Sequence, residues 1–111
     1  MFHEDEDSLT TGTRVAQRIR EVSAERGCEV EVFCFGPAQR RLGDPDATGA
    51  GAVYNRQVDE LIADGVPVGA CVNAARADGT EAELLRRGLR LEVARDEFVR
   101  FALEGATVVT F

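Results

Sequence analysis

The segment Glu60–Arg76, ELIADGVPVGACVNAAR, contains three predicted elements in immediate succession. It begins as the end of a helix that stops at Gly65, continues as a short apolar strand over Val66–Cys71, and then becomes a helical turn of small residues over Asn73–Ala77. A helix, a buried strand and a second helix in immediate succession are typical of a parallel sheet in an α/β domain. The stretch therefore predicts a parallel strand that ends in a cysteine.

The rest of the chain continues this alternation of helices and strands. Hydrophobic spacing and turn residues predict a helix over Ser8–Gly27, a strand over Glu29–Phe35, a helical turn over Ala38–Leu42, a mobile loop over Gly43–Gly51, a helix from Val53 to Gly65, a helix over Glu81–Arg87, a strand over Leu89–Val93, a helix around Phe98–Leu103 and a final strand over Ala106–Phe111. We therefore expect an α/β fold whose mostly parallel sheet is covered by helices on both faces. A strand should also precede the first helix. Only Met1–His3 come before the acidic loop, so that strand is short or the true start lies upstream.

Length and composition limit the domain organisation. With 111 residues, of which 44% are hydrophobic, the chain fits one compact domain over residues 1–111. Its apolar runs are much shorter than the roughly 20 residues of a membrane-spanning helix. The opening MFHEDED is acidic, whereas a secretory signal would be basic and then apolar. We therefore predict a cytoplasmic protein that does not bind membranes.

The charge balance argues against another class of partner. The chain has 20 acidic residues against 13 basic ones, and its formal net charge is −7. This balance repels nucleic acid and anionic lipid. The arginines are scattered among acidic residues, as on a solvated ionic surface. We therefore expect no nucleic-acid partner.

The cysteines are the residues most able to carry chemistry, and there are three: Cys28, Cys34 and Cys71. An odd number without a CxxC pair does not fit a disulfide framework, and the lone His3 leaves no zinc site of recognisable spacing. We expect neither a metal nor a cofactor. Cys34 lies between two phenylalanines, which favours a place in the core, and Cys28 lies at a helix-to-strand junction, which suggests no role.

Cys71 is the strongest candidate for a functional residue. It closes a strand at the carboxyl edge of the sheet, where ligands gather in open α/β folds. The helical segment that follows brings backbone N–H groups and the positive end of a helix dipole near the sulfur, and both favour the thiolate. A partly exposed thiolate of low pKa is what nucleophilic sulfur chemistry requires. A free cysteine after an apolar strand is also often a small buried hydrophobe, so both interpretations stay open.

Three further residues are candidates to support this thiol. Asn73 could direct its amide or its backbone N–H towards the sulfur, although asparagine is also a common helix N-cap. Arg76 could fold back and offset the negative charge of a thiolate, or lie on the surface. His3 follows the short first strand and should reach the same edge of the sheet. It is a candidate base, with an exposed or core histidine as the alternative.

Several features together resemble the DsrE/DsrF-like proteins, small domains of the sulfur relay group that includes the TusD-type carriers. They are the order of elements, the run GVPVGACVNAAR after a helix ending in ELIADG, the opening FHEDED and the ending EGATVVTF. The resemblance covers almost the whole chain. It implies a three-layer α/β/α domain with a parallel sheet of about five strands, and assembly into dimers, trimers or hexamers. The short first strand departs from the family pattern.

The resemblance also implies a function. Family members that act in sulfur transfer carry sulfane sulfur as a persulfide on a cysteine at the end of a central strand, and Cys71 occupies the matching position. It therefore implies a sulfur carrier that takes sulfur from one protein and passes it to another.

Other functions stay open on the residues alone. Cys71 and Arg76 form C-x4-R, which resembles the loop of rhodanese-like sulfurtransferases in length, whereas a phosphatase loop is longer and glycine-rich, unlike VNAA. The segment TGAGA before a helix lacks a preceding strand and is a weak signal for a nucleotide. A non-catalytic oligomeric module is the remaining alternative. The apolar ending ATVVTF leaves hydrophobic surface or a strand edge that a second subunit could cover, so we predict a homo-oligomer.

Overall fold

The structure is a computed structural model that describes residues 1–44 and 48–111. The first helix begins where the Asp5 carboxylate accepts a hydrogen bond from the Ser8 N–H (2.9 Å), and it ends at Gly27, which adopts a left-handed φ of 68°. In chain order, the elements of the described residues are α1 (Glu6–Arg26), β1 (Val32–Cys34), α2 (Gly36–Leu42), α3 (Gly49–Ala63), β2 (Val68–Cys71), α4 (Val72–Asp78), α5 (Glu81–Arg86), β3 (Arg90–Glu92) and α6 (Ala94–Leu103).

The sheet is open and parallel, and its order β1-β2-β3 puts β2 in the centre. Cys34 of β1 lies beside Ala70 of β2, and Cys71 of β2 lies beside Glu92 of β3. The predicted α/β class with a parallel sheet is therefore confirmed. The prediction of about five strands is wrong, because the described residues form three.

The predicted first and last strands do not join this sheet. Met1 pairs with β1 as a parallel strand would, since its α-amino group donates to the Phe33 carbonyl (3.0 Å) and its own carbonyl accepts from the Phe35 N–H (3.1 Å). This single paired residue is too short to be a strand. Residues 106–111 run without a turn or bend, but they reach this stub only at the Phe111 carbonyl, which accepts from the two N–H groups that follow Met1 (2.7 and 3.1 Å).

Helices pack against both faces of the sheet. Successive side chains of β1 point to opposite faces, so two neighbouring residues show which helix lies on each side. Cys34 faces α3, where the Tyr54 hydroxyl donates to its sulfur (3.4 Å). Phe33 faces α6, and its ring packs edge-on against Phe98 and Phe101, with centroids 5.8 and 6.4 Å apart. The largest fully buried side chains include Tyr54, Leu9, Leu61, Leu84, Val58 and Val68.

The third helix begins earlier than the sequence predicts, at Gly49 rather than Val53. The amide of Asn55 donates to one carbonyl in α2 and one in α3 (both 2.9 Å), and these bonds tie the start of α3 to the preceding helix. The predicted mobile loop over Gly43–Gly51 is therefore shorter, and residues 45–47 of it lie outside the described residues.

The first helix is the longest in the described chain, with 21 residues, and it begins at Glu6, two residues before the predicted start at Ser8. Leu9 and Ala16 are buried on one side, whereas Ile19 and Val22 stay 39% and 41% exposed. Within residues 1–44 and 48–111, no helix combines the length and hydrophobicity that crossing a bilayer requires.

Candidate functional site

Cys71 is the last residue of the central strand and the N-cap of α4. Its backbone stays in the extended region, with φ −72° and ψ 120°, so the chain passes from strand to helix at this residue. The side chain lies at the carboxyl edge of the sheet and is partly exposed. The strand thus ends where the sequence predicts.

Backbone hydrogen bonds control the ionisation of this thiol. Burial raises the pKa of Cys71, but bonds from the N–H groups of Ala74, Ala94 and Asn73 outweigh burial and leave the pKa below its ordinary value. Two of these donors lie in the first turn of α4, and the third is the first residue of α6. Two helix starts therefore face one sulfur, and they favour the thiolate, which is the nucleophilic form.

Gln39 holds the backbone of Cys71 in place. Its Nε2 donates to the Cys71 carbonyl (2.8 Å), and its Oε1 accepts from the Cys71 N–H (2.9 Å). Gln39 belongs to α2 and is only 2% exposed. Its amide satisfies the donor and the acceptor at the end of β2, as a neighbouring strand would.

Gln39 is not among the site residues that the sequence predicts. One feature of the sequence does indicate a role for it. Gln39 is a polar residue between Ala38 and Leu42, and both of these are buried on the apolar face of the short helix α2. A buried amide needs hydrogen-bond partners. Its partner could not be named, however, because the strand end lies far away along the chain.

The register of the strands places an aromatic residue and an acidic residue beside Cys71. The last pair between β1 and β2 is Cys34 with Ala70, so the next residue, Phe35, follows beside Cys71. On the side of β3, Cys71 is paired with the exposed Glu92. Parallel neighbours point to the same face, so the three side chains share one surface. Phe98 of α6 extends the aromatic side, since its ring centroid lies 5.0 Å from that of Phe35 and its side chain is 42% exposed.

The other predicted site residues lie in different settings. Asn73 is exposed and supplies its backbone N–H to the sulfur, one of the two contributions considered for it. The Arg76 side chain is 62% exposed and forms an ion pair with Glu81 (3.2 Å). His3 is exposed, and its ring packs edge-on against Phe2 with centroids 5.2 Å apart. Among the described contacts, none joins Arg76 or His3 to the sulfur, so their roles there stay predictions.

The remaining cysteines differ from Cys71 in their surroundings. Cys34 is fully buried, as its flanking phenylalanines predict, and burial raises the pKa of its thiol although Tyr54 donates to the sulfur. Cys28 is exposed just beyond the end of α1. Within the part of the chain that the structure describes, no three His, Cys, Asp or Glu side chains come together as a metal site requires.

Comparison with known proteins supports the fold alone. No protein-family model matches the chain, and no curated protein matches it. Its structure is similar to that of a conserved protein of unknown function from Bacteroides thetaiotaomicron, with a TM-score of 0.77 and 10% sequence identity, over 100% of this chain and 90% of that one. At this identity, the likeness concerns the arrangement of helices and strands.

Proposed function

We propose that this protein is a small sulfur carrier of the DsrE/DsrF-like type, which holds sulfane sulfur as a persulfide on Cys71. The observation that supports this proposal most is the environment of the sulfur. A partly exposed thiol at the end of the central strand accepts hydrogen bonds from three backbone N–H groups of two helices, and its pKa is lowered. With three free cysteines, the protein suits a reducing compartment, and we place it in the cytoplasm.

The proposed reaction is two successive sulfur transfers without net oxidation. The Cys71 thiolate attacks the outer sulfur of a donor persulfide, R–S–SH, so the bond between the donor sulfurs breaks as the new S–S bond forms. The products are Cys71–S–SH and the donor thiolate R–S⁻. An acceptor thiolate then attacks the same outer sulfur, and Cys71 leaves as its thiolate. The N–H groups at the sulfur assist both steps, because they stabilise Cys71 as attacking and as departing thiolate.

The surroundings of the thiol suggest which donors fit. Its lowered pKa comes from backbone N–H groups, and no charged side chain contributes to it among the described residues. Glu92 lies on one side and the rings of Phe35 and Phe98 on the other. A small dianion such as thiosulfate would meet a carboxylate there, whereas a neutral or protein-borne persulfide would meet apolar surface. This arrangement favours a carrier over a rhodanese-like enzyme that turns over thiosulfate.

Mass spectrometry tests the carrier function. After incubation with a neutral organic persulfide, we expect one added sulfur per chain, which dithiothreitol removes. The adduct should be lost in Cys71→Ser and kept in the matched controls Cys34→Ser and Cys28→Ser. Adduct formation in folded Cys71→Ser, or none on the native protein with organic or protein persulfides, contradicts the proposal. A thiosulfate-to-cyanide assay with multiple turnovers would instead indicate a sulfurtransferase.

A non-catalytic oligomeric module is the second candidate, because α6 exposes apolar side chains. Val99 is 53% exposed and Leu103 is 83% exposed, which is typical of a surface that a partner covers. We propose a homo-oligomer that buries this side of α6, compatible with either function. Light scattering should then give a mass above 12.0 kDa that Val99→Asp reduces to the monomer mass. Leu85→Asp, at a residue 52% exposed on α5, is the control.

A further inference from the structure

A row of four aromatic rings lies at the carboxyl edge of the sheet, on the surface. The ring of His3 packs against Phe2 with centroids 5.2 Å apart. Phe35 continues the row, with its centroid 5.0 Å from that of Phe2 and 5.0 Å from that of Phe98. His3 and Phe98 at the two ends are exposed, and the two rings between them are partly exposed. These four residues are called the aromatic row below.

The fold holds the aromatic row in a fixed shape. The Ala38 N–H donates to the Phe2 carbonyl (2.9 Å), which fixes the stub to the start of α2. Phe35 is the N-cap residue of the same helix. Phe98 is held from α6, because its ring packs edge-on against Phe33 of β1, with centroids 5.8 Å apart. A surface that is formed in advance loses little conformational entropy when a partner binds.

The aromatic row borders the thiol. Phe35 follows beside Cys71 in the register of β1 and β2, and their side chains point to the same face of the sheet. Phe98 lies about one turn of α6 after Ala94, whose N–H bonds to the Cys71 sulfur. A polypeptide segment that lies along the row therefore brings its own side chains beside the sulfur.

Carboxylates flank the row and the thiol. Glu92 is paired with Cys71 in the register of the sheet and is exposed. Glu4 and Asp5 follow His3 directly, between the stub and α1, and both are exposed. Among the described residues, none of these three carboxylates forms an ion pair.

The cations of the adjoining helices offset this charge only in part. Arg95 is paired with Asp96 (2.9 Å), and Arg76 is paired with Glu81 (3.2 Å). Arg40 is exposed on α2, but the three carboxylates outnumber it. The whole chain also has a formal net charge of −7. This edge of the sheet therefore attracts positive charge.

The rings favour a cation as well. The face of an aromatic ring attracts an ammonium or guanidinium group, and Arg100 already packs on Phe101 in this way, 4.9 Å from the ring centroid. Exposed aromatic side chains are also enriched in the cores of protein interfaces. A segment that combines aliphatic side chains with arginine or lysine thus matches both the rings and the charge.

We infer that the aromatic row is the docking surface for a partner protein that presents its sulfur on a basic and apolar segment. Rings that follow one another at steps of about 5 Å suit about four or five residues of extended chain. The inference rests on the proposed function, since such a segment would deliver sulfur to Cys71 or take it away. A second copy fits less well, because a two-fold contact at this edge would bring identical carboxylates together.

Thiol–disulfide exchange with synthetic peptides tests this surface. The protein is Cys28→Ser, in which Cys71 is the accessible thiol because Cys34 is fully buried. Each peptide of about ten residues carries one central cysteine activated as a 2-pyridyl disulfide. The Cys71 thiolate attacks the peptide sulfur, the bond to the pyridyl sulfur breaks, and pyridine-2-thione leaves and is followed by its absorbance.

Three peptides differ only in the residues around the cysteine, which are leucine and arginine, leucine and glutamate, or serine and arginine. Each rate is divided by the rate of the same peptide with 2-mercaptoethanol, which removes differences in intrinsic reactivity. At low salt, we expect the leucine and arginine peptide to react about tenfold faster than either of the others. Its lead over the glutamate peptide should fall to about threefold in about 0.5 M salt. Equal normalised rates, or a faster glutamate peptide, overturn the inference.

Variants assign the preference to residues. Phe98→Ser should remove the preference for leucine over serine, whereas Val99→Ser, at the next and more exposed residue of α6, should keep it. Glu4→Gln combined with Glu92→Gln should remove the preference for arginine over glutamate. An unchanged rate with iodoacetamide shows that the thiolate is intact in each variant. A leucine preference that persists in folded Phe98→Ser overturns the row as the docking surface, and if this variant does not fold, the three peptides decide alone.

Two further measurements separate the other cases. Light scattering that shows an oligomer which Phe98→Ser dissociates, with faster peptide reactions in the dissociated protein, assigns the row to a second copy and overturns the inference. Persulfide uptake from a neutral organic persulfide is measured in parallel. If the peptides show the expected preference and no persulfide forms on Cys71, the docking surface stands and the carrier function fails. If the persulfide forms and the peptides react equally, the docking surface alone fails.

Discussion

Replacing Ala94 by proline should weaken the thiolate at Cys71 without unfolding the protein. Ala94 is the first residue of α6, and its N–H is one of the three donors to the sulfur. Proline is well tolerated at the first helical position, where the N–H has no partner within the helix. The preceding residue, Val93, already has φ −71° and ψ 119°, in the region that a residue before proline prefers. The substitution therefore removes one hydrogen bond and little else.

The size of the effect follows from the energy of that bond. A hydrogen bond to a charged group contributes about 1.5–3 kcal/mol, and partial exposure of the sulfur reduces the contribution to about 1 kcal/mol. Losing it lowers the thiolate fraction at pH 7 about fivefold. A more basic thiolate is also more nucleophilic, which recovers part of the loss. We therefore expect alkylation of Cys71 at pH 7 to slow by about two- to threefold.

The assay is the rate of alkylation by iodoacetamide across a pH series, followed at Cys71 by peptide mass spectrometry. In Ala94→Pro, the midpoint of the profile should move to higher pH, and the rate above the midpoint should be equal or greater. Ala94→Gly keeps the N–H and should retain the native midpoint. If the Ala94→Pro protein is folded, as judged by circular dichroism, and its midpoint is unchanged, the N–H of α6 does not stabilise the thiolate and the reasoning fails.

Three further predictions concern the same site. Gln39→Leu leaves two backbone groups of Cys71 without partners and should lower the free energy of unfolding by about 2–3 kcal/mol in urea titrations. Gln17→Leu on α1 is the control and should change the free energy of unfolding by less than about 0.5 kcal/mol. Similar losses in both variants would refute a specific role for Gln39. The folded state lowers the pKa of Cys71, so the thiolate stabilises the native protein relative to Cys71→Ser. This stability should increase as pH rises from the folded pKa towards the ordinary pKa of about 8.5, and it should be lost as pH falls through the folded pKa. A difference that stays constant with pH would contradict this. Glu92→Gln should raise the rate of Cys71 alkylation by iodoacetate about two- to fivefold relative to iodoacetamide at low salt. An unchanged ratio would mean that this carboxylate does not act on the site.

Local signals in the sequence were sufficient to locate Cys71. The helix that stops near Gly65, the apolar run before the cysteine and the small residues after it each act over a few positions, and the structure places β2 and α4 there. The donors to the sulfur are only partly local. Asn73 and Ala74 follow from the start of α4, but the N–H of Ala94 reaches the sulfur through the packing of a helix distant in sequence.

The number of strands could not be predicted from local signals. Residues 106–111 have the β-branched, uncharged pattern that favours a strand, yet a strand exists only where a neighbouring edge pairs with it. Its neighbour here is the stub at Met1, and within the described residues the backbone bonds between the two ends of the chain run from Phe2 and His3 to the Phe111 carbonyl. The residue pattern thus predicted that residues 106–111 favour an extended conformation. Whether they form a strand depends on hydrogen-bond partners near the amino terminus, at the other end of the chain.

A small residue in the central strand connects the fold to the site. A Cβ atom added at Gly69 would lie 2.9 Å from the ring of Phe33, so only glycine at this position lets that ring lie across β2. Phe33 in turn packs against Phe98 and Phe101 of α6, and this contact holds the helix over the face of the sheet from which the Cys71 side chain projects. Because α6 begins at Ala94, its position there brings the Ala94 N–H to the sulfur. Gly69 therefore contributes to the ionisation of Cys71 indirectly. It allows the aromatic packing that positions α6, and α6 supplies one of the N–H donors to the sulfur.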